Sequence, residues 1–441
     1  MSTQTEESTP PQPPRHVFRA LHHRNYRLFF FGQGVSVIGT WMQRVALSWL
    51  VYVLTGDPFL LGVVNFSNQI PAALIAPFAG VLADRMDRRR LLIATQTLAM
   101  AQAFVLAALT LLGQIAFWHI IVLGIILGLV NGLDMPIRQS FVVNMVGRRE
   151  DLPNAIALNS FIFNAAMLLG PSLGGLVLHY LNAGICFLIN GISFAAVLAA
   201  LVAMRVEPTV RPRTDKHVLI HLKEGLTYAV SFPPIRAVLT LLIMISLLGR
   251  PYGVLMPVFA KDILSGDART YGFLLAATGV GALGGALLLA SRQSVRGLEL
   301  LNPLATTLFG LSLVAFAFSR NLALSLGILL VGGFGQMVQT ASSNTLLQTV
   351  VDDDKRGRVM SLYSMCLQGL LPLGNLLAGG LAKWLGAPWT VLLSGFGCFA
   401  AASVFVRSRH LLRRTLEPEQ ALGGQAGEPL PAPGRGPTTP A

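Results

Sequence analysis

Long apolar stretches alternate with short polar turns along nearly the whole chain. A bilayer-spanning helix needs about 20 mostly apolar residues. Runs of that kind lie near 27–54, 59–83, 91–112, 117–138, 154–178 and 184–204. Six more lie near 235–260, 270–291, 298–318, 322–349, 358–382 and 387–406. The pattern predicts an all-α integral membrane protein with twelve transmembrane helices in two six-helix halves, 18–204 and 235–407. A polar linker, 205–234, separates them. Within it Val218, Leu219, Leu222, Leu226 and Val230 share one helical face, with Lys216, Lys223 and Glu224 off it. That spacing suits an amphipathic helix on the cytoplasmic membrane surface, or a plain tether between halves. Residues 1–17 and the tail 408–441, rich in Pro and Gly from about Glu417, are predicted to be disordered and cytoplasmic.

Composition agrees. The 441 residues are 53% hydrophobic and only 12% charged, against roughly 25% charged in soluble domains. So little charge cannot cover a water-facing surface of this size. The net charge of +13 could suggest a nucleic-acid partner, but its distribution argues against one. With both termini cytoplasmic, Lys261, Arg269, Arg320 and Lys383 fall outside and Arg44 and Arg250 fall within spans. The other 27 of the 33 Lys and Arg then face the cytoplasm. The basic excess is an orientation signal. Membrane lipid and a small-molecule cargo are the expected partners. Cys186, Cys366 and Cys398 sit apart within apolar runs and read as small packers, neither disulfides nor metal ligands.

The halves echo each other weakly. Gly39, Gly56, Asp57 and Gly62 are each followed 210 residues later by Gly249, Gly266, Asp267 and Gly272. Parallel repeats are a transporter architecture, with the cargo site between halves near mid-membrane.

Gly80-Val81-Leu82-Ala83-Asp84-Arg85-Met86-Asp87-Arg88-Arg89-Arg90-Leu91 is a dense basic turn between spans two and three. It resembles the signature loop of the major facilitator superfamily; Asp87 replaces the second Gly of that pattern. Arg356-Gly357-Arg358-Val359-Met360-Ser361, Trp41-Met42-Gln43-Arg44 and the 134–138 segment are similar to the branch holding the enterobactin exporter and macrolide efflux proteins. The resemblance covers about 18–407. It implies that Gly80, Asp84, Arg85, Arg88 and Arg89 form a conformational latch, with Asp84 against the start of span eleven and Arg88 paired with an acid on span four. It also implies a monomer in a bacterial inner membrane, exporting a small organic molecule such as a siderophore-like metabolite or drug. Proton antiport with alternating access goes with that reading. An importer or lysophospholipid mover of the same fold is the alternative.

Asp134 is the one acid well inside a span. An intramembrane acid is costly and usually functional. It is expected to partner Arg88 in the latch or to carry a proton, with Arg138 one turn away holding its proton affinity down; the latch is preferred. Gly170-Pro171-Ser172-Leu173-Gly174-Gly175 permits close helix packing. It also resembles the motif of drug and metabolite exporters, with Ala166 in place of the first Gly. Gly279-Val280-Gly281-Ala282-Leu283-Gly284 has the letters of a dinucleotide fingerprint without its strand or acid, and reads as helix packing.

Arg44 and Arg250 lie deep in the leading span of each half. Each either bonds backbone carbonyls, snorkels, or meets an anionic or polyphenolic cargo, catecholate siderophores included. Asn65, Gln69, Gln336 and Gln339 are candidate cavity amides, though helix-to-helix hydrogen bonds account for most amides in the spans. No phosphate-cradling loop is present, the eight histidines are scattered, and no cofactor or metal is expected. The coupling ion is expected to be H+, and enzymatic activity is not expected.

Overall fold

The structure, a computed structural model, describes residues 18–147, 149–205, 227–292, 294–352 and 355–416. Among them are twelve membrane-length helical spans and no strand. The first half holds α1 (Arg24–Thr55), α2 (Pro58–Arg85), α3 (Arg88–Leu111), α4 (Phe117–Met145), α5 (Leu152–Tyr180) and α6 (Ala183–Ala203). The second holds α7 (Pro233–Ile263), α8 (Ala268–Ala290), α9 (Leu298–Phe318), α10 (Leu322–Val350), α11 (Arg356–Leu385) and α12 (Ala387–Leu416). With an even number of spans both ends of the chain lie on one face of the bundle, here the near end; the opposite face is the far end. The predicted linker helix falls mainly on 206–226, outside the described residues, as do 1–17 and 417–441.

Local chemistry sets the helix ends. Gly56 closes α1 in the left-handed region, φ +61. The Asp57 carboxylate then accepts from the Phe59 N–H at 2.9 Å, and Pro58 opens α2. Asp87 accepts from the N–H groups of Arg89 and Arg90, at 2.8 and 3.1 Å, and so caps α3. The departure from the superfamily loop pattern therefore has a local use. Asn182, Asp267 and Asn321 cap α6, α8 and α10 in the same way.

Packing repeats between the halves. α1 lies on α6, α2 on α4 and α3 on both α4 and α6. α7 on α12, α8 on α10 and α9 on both α10 and α12 reproduce that order. The glycine echo marks equivalent contacts. A Cβ on Gly39 would meet Ser193 and Asn190 of α6, and one on Gly249 would meet Cys398 of α12. The Gly-rich stretch of α8 is a packing surface: a Cβ on Gly281 would fall 1.8 Å from the Leu330 carbonyl oxygen of α10. The three cysteines are free and buried.

Two ends run longer than the hydropathy predicts. α4 continues past 138 because Phe141, Val142 and Met145 are buried in the near-end apolar cluster with Tyr26, Phe29 and Leu92. α12 continues past 407 to Leu416, so the first nine residues of the predicted tail are helical. Arg407 and Arg409 place positive charge toward its C-terminal end, where the helix dipole favours it. α7 is irregular: π-turns at Ile245–Gly249 and Phe259–Ile263 flank a 3₁₀ turn at Arg250–Leu255. Pro251 and Pro257 remove two backbone donors there. A matching π-turn, Met365–Gly369, precedes Pro372 in α11.

Candidate functional site

The halves meet along α5 against α8 and along α2 against α11. Both seams are closed by glycines. A Cβ on Gly175 would lie 2.9 Å from the Ala268 carbonyl oxygen and 3.0 Å from the Gly272 Cα; one on Gly379 would lie 2.8 Å from the Pro58 carbonyl oxygen. Polar pairs join the halves at the far end beside these seams. The Lys383 ammonium binds Asp57 at 2.7 Å, His179 Nδ1 lies 2.5 Å from Asp267, and the Tyr52 hydroxyl donates to Asp262. Trp49 of α1 stacks on Tyr271 of α8, centroids 6.2 Å apart. Partial burial works to raise the Asp267 carboxyl, but the Thr270 N–H and His179 outweigh it and hold it below the usual range. In the sequence these acids and His179 are end-of-span residues with no visible partner. Their partners lie on the other half, beyond the reach of local spacing.

At the near end, Asp134 is buried between α3 and α4. It accepts from Thr95 Oγ1 at 2.9 Å and Gln96 Nε2 at 2.7 Å, and Arg138 Nε lies 3.6 Å away. Arg138 also stacks on Phe163 of α5, 5.6 Å from the ring centre. The expected Arg88–Asp134 pair is replaced. Arg88 does reach α4, but further along, at the Ser140 carbonyl (3.4 Å) and Asn144 Oδ1 (3.3 Å). The reason is supply: Thr95 and Gln96 across on α3, and Arg138 one turn along α4, already satisfy Asp134. Arg89 has a different place from the latch expected for it. Its guanidinium donates to the Leu201 and Val202 carbonyls, both at 2.7 Å, and finishes the C-terminus of α6. Gly80, Asp84 and Arg85 lie on the last turns of α2; their side-chain surroundings lie outside the described residues.

The predicted exporter stretch on α5 faces two ways. A Cβ on Gly170 would stand 2.3 Å from the Trp41 Cβ, and one on Gly174 3.2 Å from the Met42 Cα, both on α1. Gly175 faces α8 across the seam, and the Pro171 carbonyl oxygen lies 2.7 Å from where a Gly272 Cβ would be. Gly170, Pro171, Gly174 and Gly175 thus set α5 against the leading helix of its own half and against the other half together.

Arg44 is set deep among the helices, yet its surface is exposed. It stands nine residues from Val35 and from Val53, half a turn around α1 from both. Those valines are exposed on the opposite side of α1, and Arg44, deep among the helices with an open surface, lines open space. Its guanidinium lies over the Trp41 ring, 4.9 Å from the centroid. Arg250 donates to the Leu367 carbonyl at 3.0 Å, within the α11 π-turn, and Ser246 shares that oxygen at 3.4 Å. The phenols of Tyr252 and Tyr363 lie within its electrostatic reach. Of the expected cavity amides, Asn65 donates to its own helix at Leu61, 3.0 Å. Gln69 and Gln336 are partly exposed. Gln339 is a correction: it is fully buried and bonds Ser343 at 3.1 Å in a seam with Asn302 of α9, so it packs helices and does not line a cavity.

Comparison with known proteins gives one family. A family model described as transmembrane secretion effector matches residues 16–430. The chain is 26% identical to the staphyloferrin A transporter of Staphylococcus aureus over 392 residues, 89% of this chain and 98% of that protein. It is 26% identical to the multidrug efflux pump Tap of Mycolicibacterium fortuitum, covering 83% and 91%. With macrolide efflux protein A of Streptococcus pyogenes it shares 22%, covering 85% and 94%. Among solved structures, a peptide transporter superposes with a TM-score of 0.71 at 14% identity, over 88% of this chain and 95% of that one. A bacterial homologue of the iron transporter ferroportin, in an inward-facing state, superposes at 0.66 and 17% identity, over 88% and 98%. The chain belongs to the transmembrane secretion effector family of the major facilitator superfamily, and is a multi-pass bacterial membrane transporter, not an enzyme.

Proposed function

We propose that the protein exports a small organic molecule across the bacterial inner membrane, by alternating access coupled to proton entry. The near end, with both termini, is the cytoplasmic side in this reading, because it carries nearly all the Lys and Arg. The observation that carries the proposal is the exposed interior Arg44 beneath a far end held by cross-half pairs. A side chain that is open to solvent while the far end is closed is reached from the near end. Relatives described as efflux pumps for drugs and macrolides support the outward direction. Rocking of one half on the other would break the Asp57–Lys383 and His179–Asp267 pairs and deliver cargo outside.

Metabolite profiling tests the direction. A deletion strain should retain a small molecule that the complemented strain releases, and everted vesicles should take it up only with an imposed proton gradient. Accumulation by right-side-out vesicles alone would make the protein an importer and overturn the reading.

A further inference from the structure

The interior of the bundle has unbalanced charge. Asp134 and Arg138 neutralise one another. Arg44 and Arg250 have no acid beside them among the described residues. Arg250 is partly satisfied by the Leu367 carbonyl. Arg44 has no hydrogen-bond acceptor among the described residues; its guanidinium lies over the Trp41 ring. A guanidinium at membrane depth costs several kcal/mol unless an anion or water meets it. Its five donors form a fork that matches an oxyanion edge-on.

We propose that Arg44, backed by Trp41, is the anion-binding group of the transport site, that Arg250 of the other half is its partner, and that the cargo carries carboxylates. The assignment rests on the transport reading above and names its substrate class. Three observations converge on it. The first is the missing acceptor. The second is placement. Gly39 and Gly249 occupy equivalent contacts in the two halves; Arg44 follows the first by five residues and Arg250 follows the second by one. The two arginines therefore sit on equivalent helices, four residues apart in the repeat frame. Equivalent placement on the leading helix of each half lets one cargo be met from both halves. The third is the backing. The Arg44 guanidinium lies over the Trp41 ring, and its N–H groups make no hydrogen bond among the described residues. Gly170 makes this possible, because any side chain there would displace Trp41. Gly170 and Trp41 are positioning residues for Arg44, which gives the exporter-like stretch of α5 a role in cargo recognition as well as in packing. A carboxylate is favoured over a neutral phenol because it is fully ionised at neutral pH, whereas a phenol near pKa 10 is not.

Binding to the purified full-length protein in detergent tests this without any gradient. Citrate and phthalate serve as anionic probes, and their ethyl esters as neutral counterparts. The anions should bind and the esters should bind much more weakly. Arg44→Gln should weaken anion binding about ten- to hundredfold, the worth of a charge-assisted pair. Arg44→Lys should recover part of that loss, and Arg250→Gln should cost less, since its carbonyl contact already occupies one donor. Gly170→Ala keeps every charge, so it should weaken the anions by displacing Trp41 from Arg44. Thermal melting of each variant separates misfolding from lost affinity, and the lysine variant keeps the charge if the glutamine variant fails to fold. Equal binding of acids and esters, binding by neither acid, or an Arg44→Gln variant as tight as the wild type would overturn the proposal. Movement of citrate inward through Arg44 would overturn export and leave the anion site standing.

Discussion

The two halves build the same polar node in different currencies. In the first, Asp134 and Arg138 on α4 face Thr95 and Gln96 on α3. In the second, Gln339 and Ser343 on α10 face Asn302 on α9. Asp134 lies 17 residues into Phe117–Met145, and Gln339 lies 17 residues into Leu322–Val350. Arg138 and Ser343 each follow four residues later. The frame is one frame, yet one node is ionic and the other is neutral amide and hydroxyl. A neutral node can only hold helices together. An ionic one can also change with a proton or with a moving arginine, and Arg88 docks on the same helix two turns away. The asymmetry puts charge in the first-half node and neutral packing in the second.

Substitutions can break that contrast. The largest effect is expected from Asp134→Asn, which leaves the largely buried Arg138 without its anion. Removing one member of a buried pair costs about 3–5 kcal/mol, and transport in a vesicle assay should be abolished. Normal transport by this variant would remove both proposed roles of Asp134. Gln339→Leu comes next. It strips one of two partners from Ser343 and should cost about 1–3 kcal/mol in melting, while transport per folded molecule stays near wild type. If Gln339→Leu silenced transport as fully as Asp134→Asn, the two nodes would be equivalent and the contrast would go. Gly175→Val acts on the seam between halves. Overpacking there should cost about 1–3 kcal/mol and let a far-side thiol reagent reach cysteines placed at 179 and 267. Lys383→Ala should do least. The pair is half exposed, so its loss is worth at most about 1 kcal/mol, and the other cross-half contacts should keep the far end shut.

The spans were legible in the sequence because lipid imposes a length and a composition that water does not. Span nine, 298–318, coincides with its helix to the residue. What lay hidden was whatever depends on a second helix. Nothing local to His179 or Asp57 points to Asp267 or Lys383. Gln339 has the composition of a cavity amide, and only the neighbouring Asn302 makes it a packing group. Asp87 looks like a blemish in a loop pattern until the α3 N-terminus gives it two N–H groups to accept from. The π-turns of α7 had signals in Pro251 and Pro257, but proline alone does not say whether a helix kinks or widens. Arg44 was legible as a charge within a span; that it has no acceptor among the described residues needed the neighbours.

Labelling of a cysteine introduced at position 44 tests the central claim most directly. Arg44→Cys would be made with Cys186, Cys366 and Cys398 changed to serine, and treated with a membrane-impermeant thiol reagent. In everted vesicles at rest the introduced thiol should react, and in right-side-out vesicles it should be protected until a proton gradient drives the pump. Reaction from the outside at rest, or from neither side, would contradict a central site that opens to the near end under a closed far end.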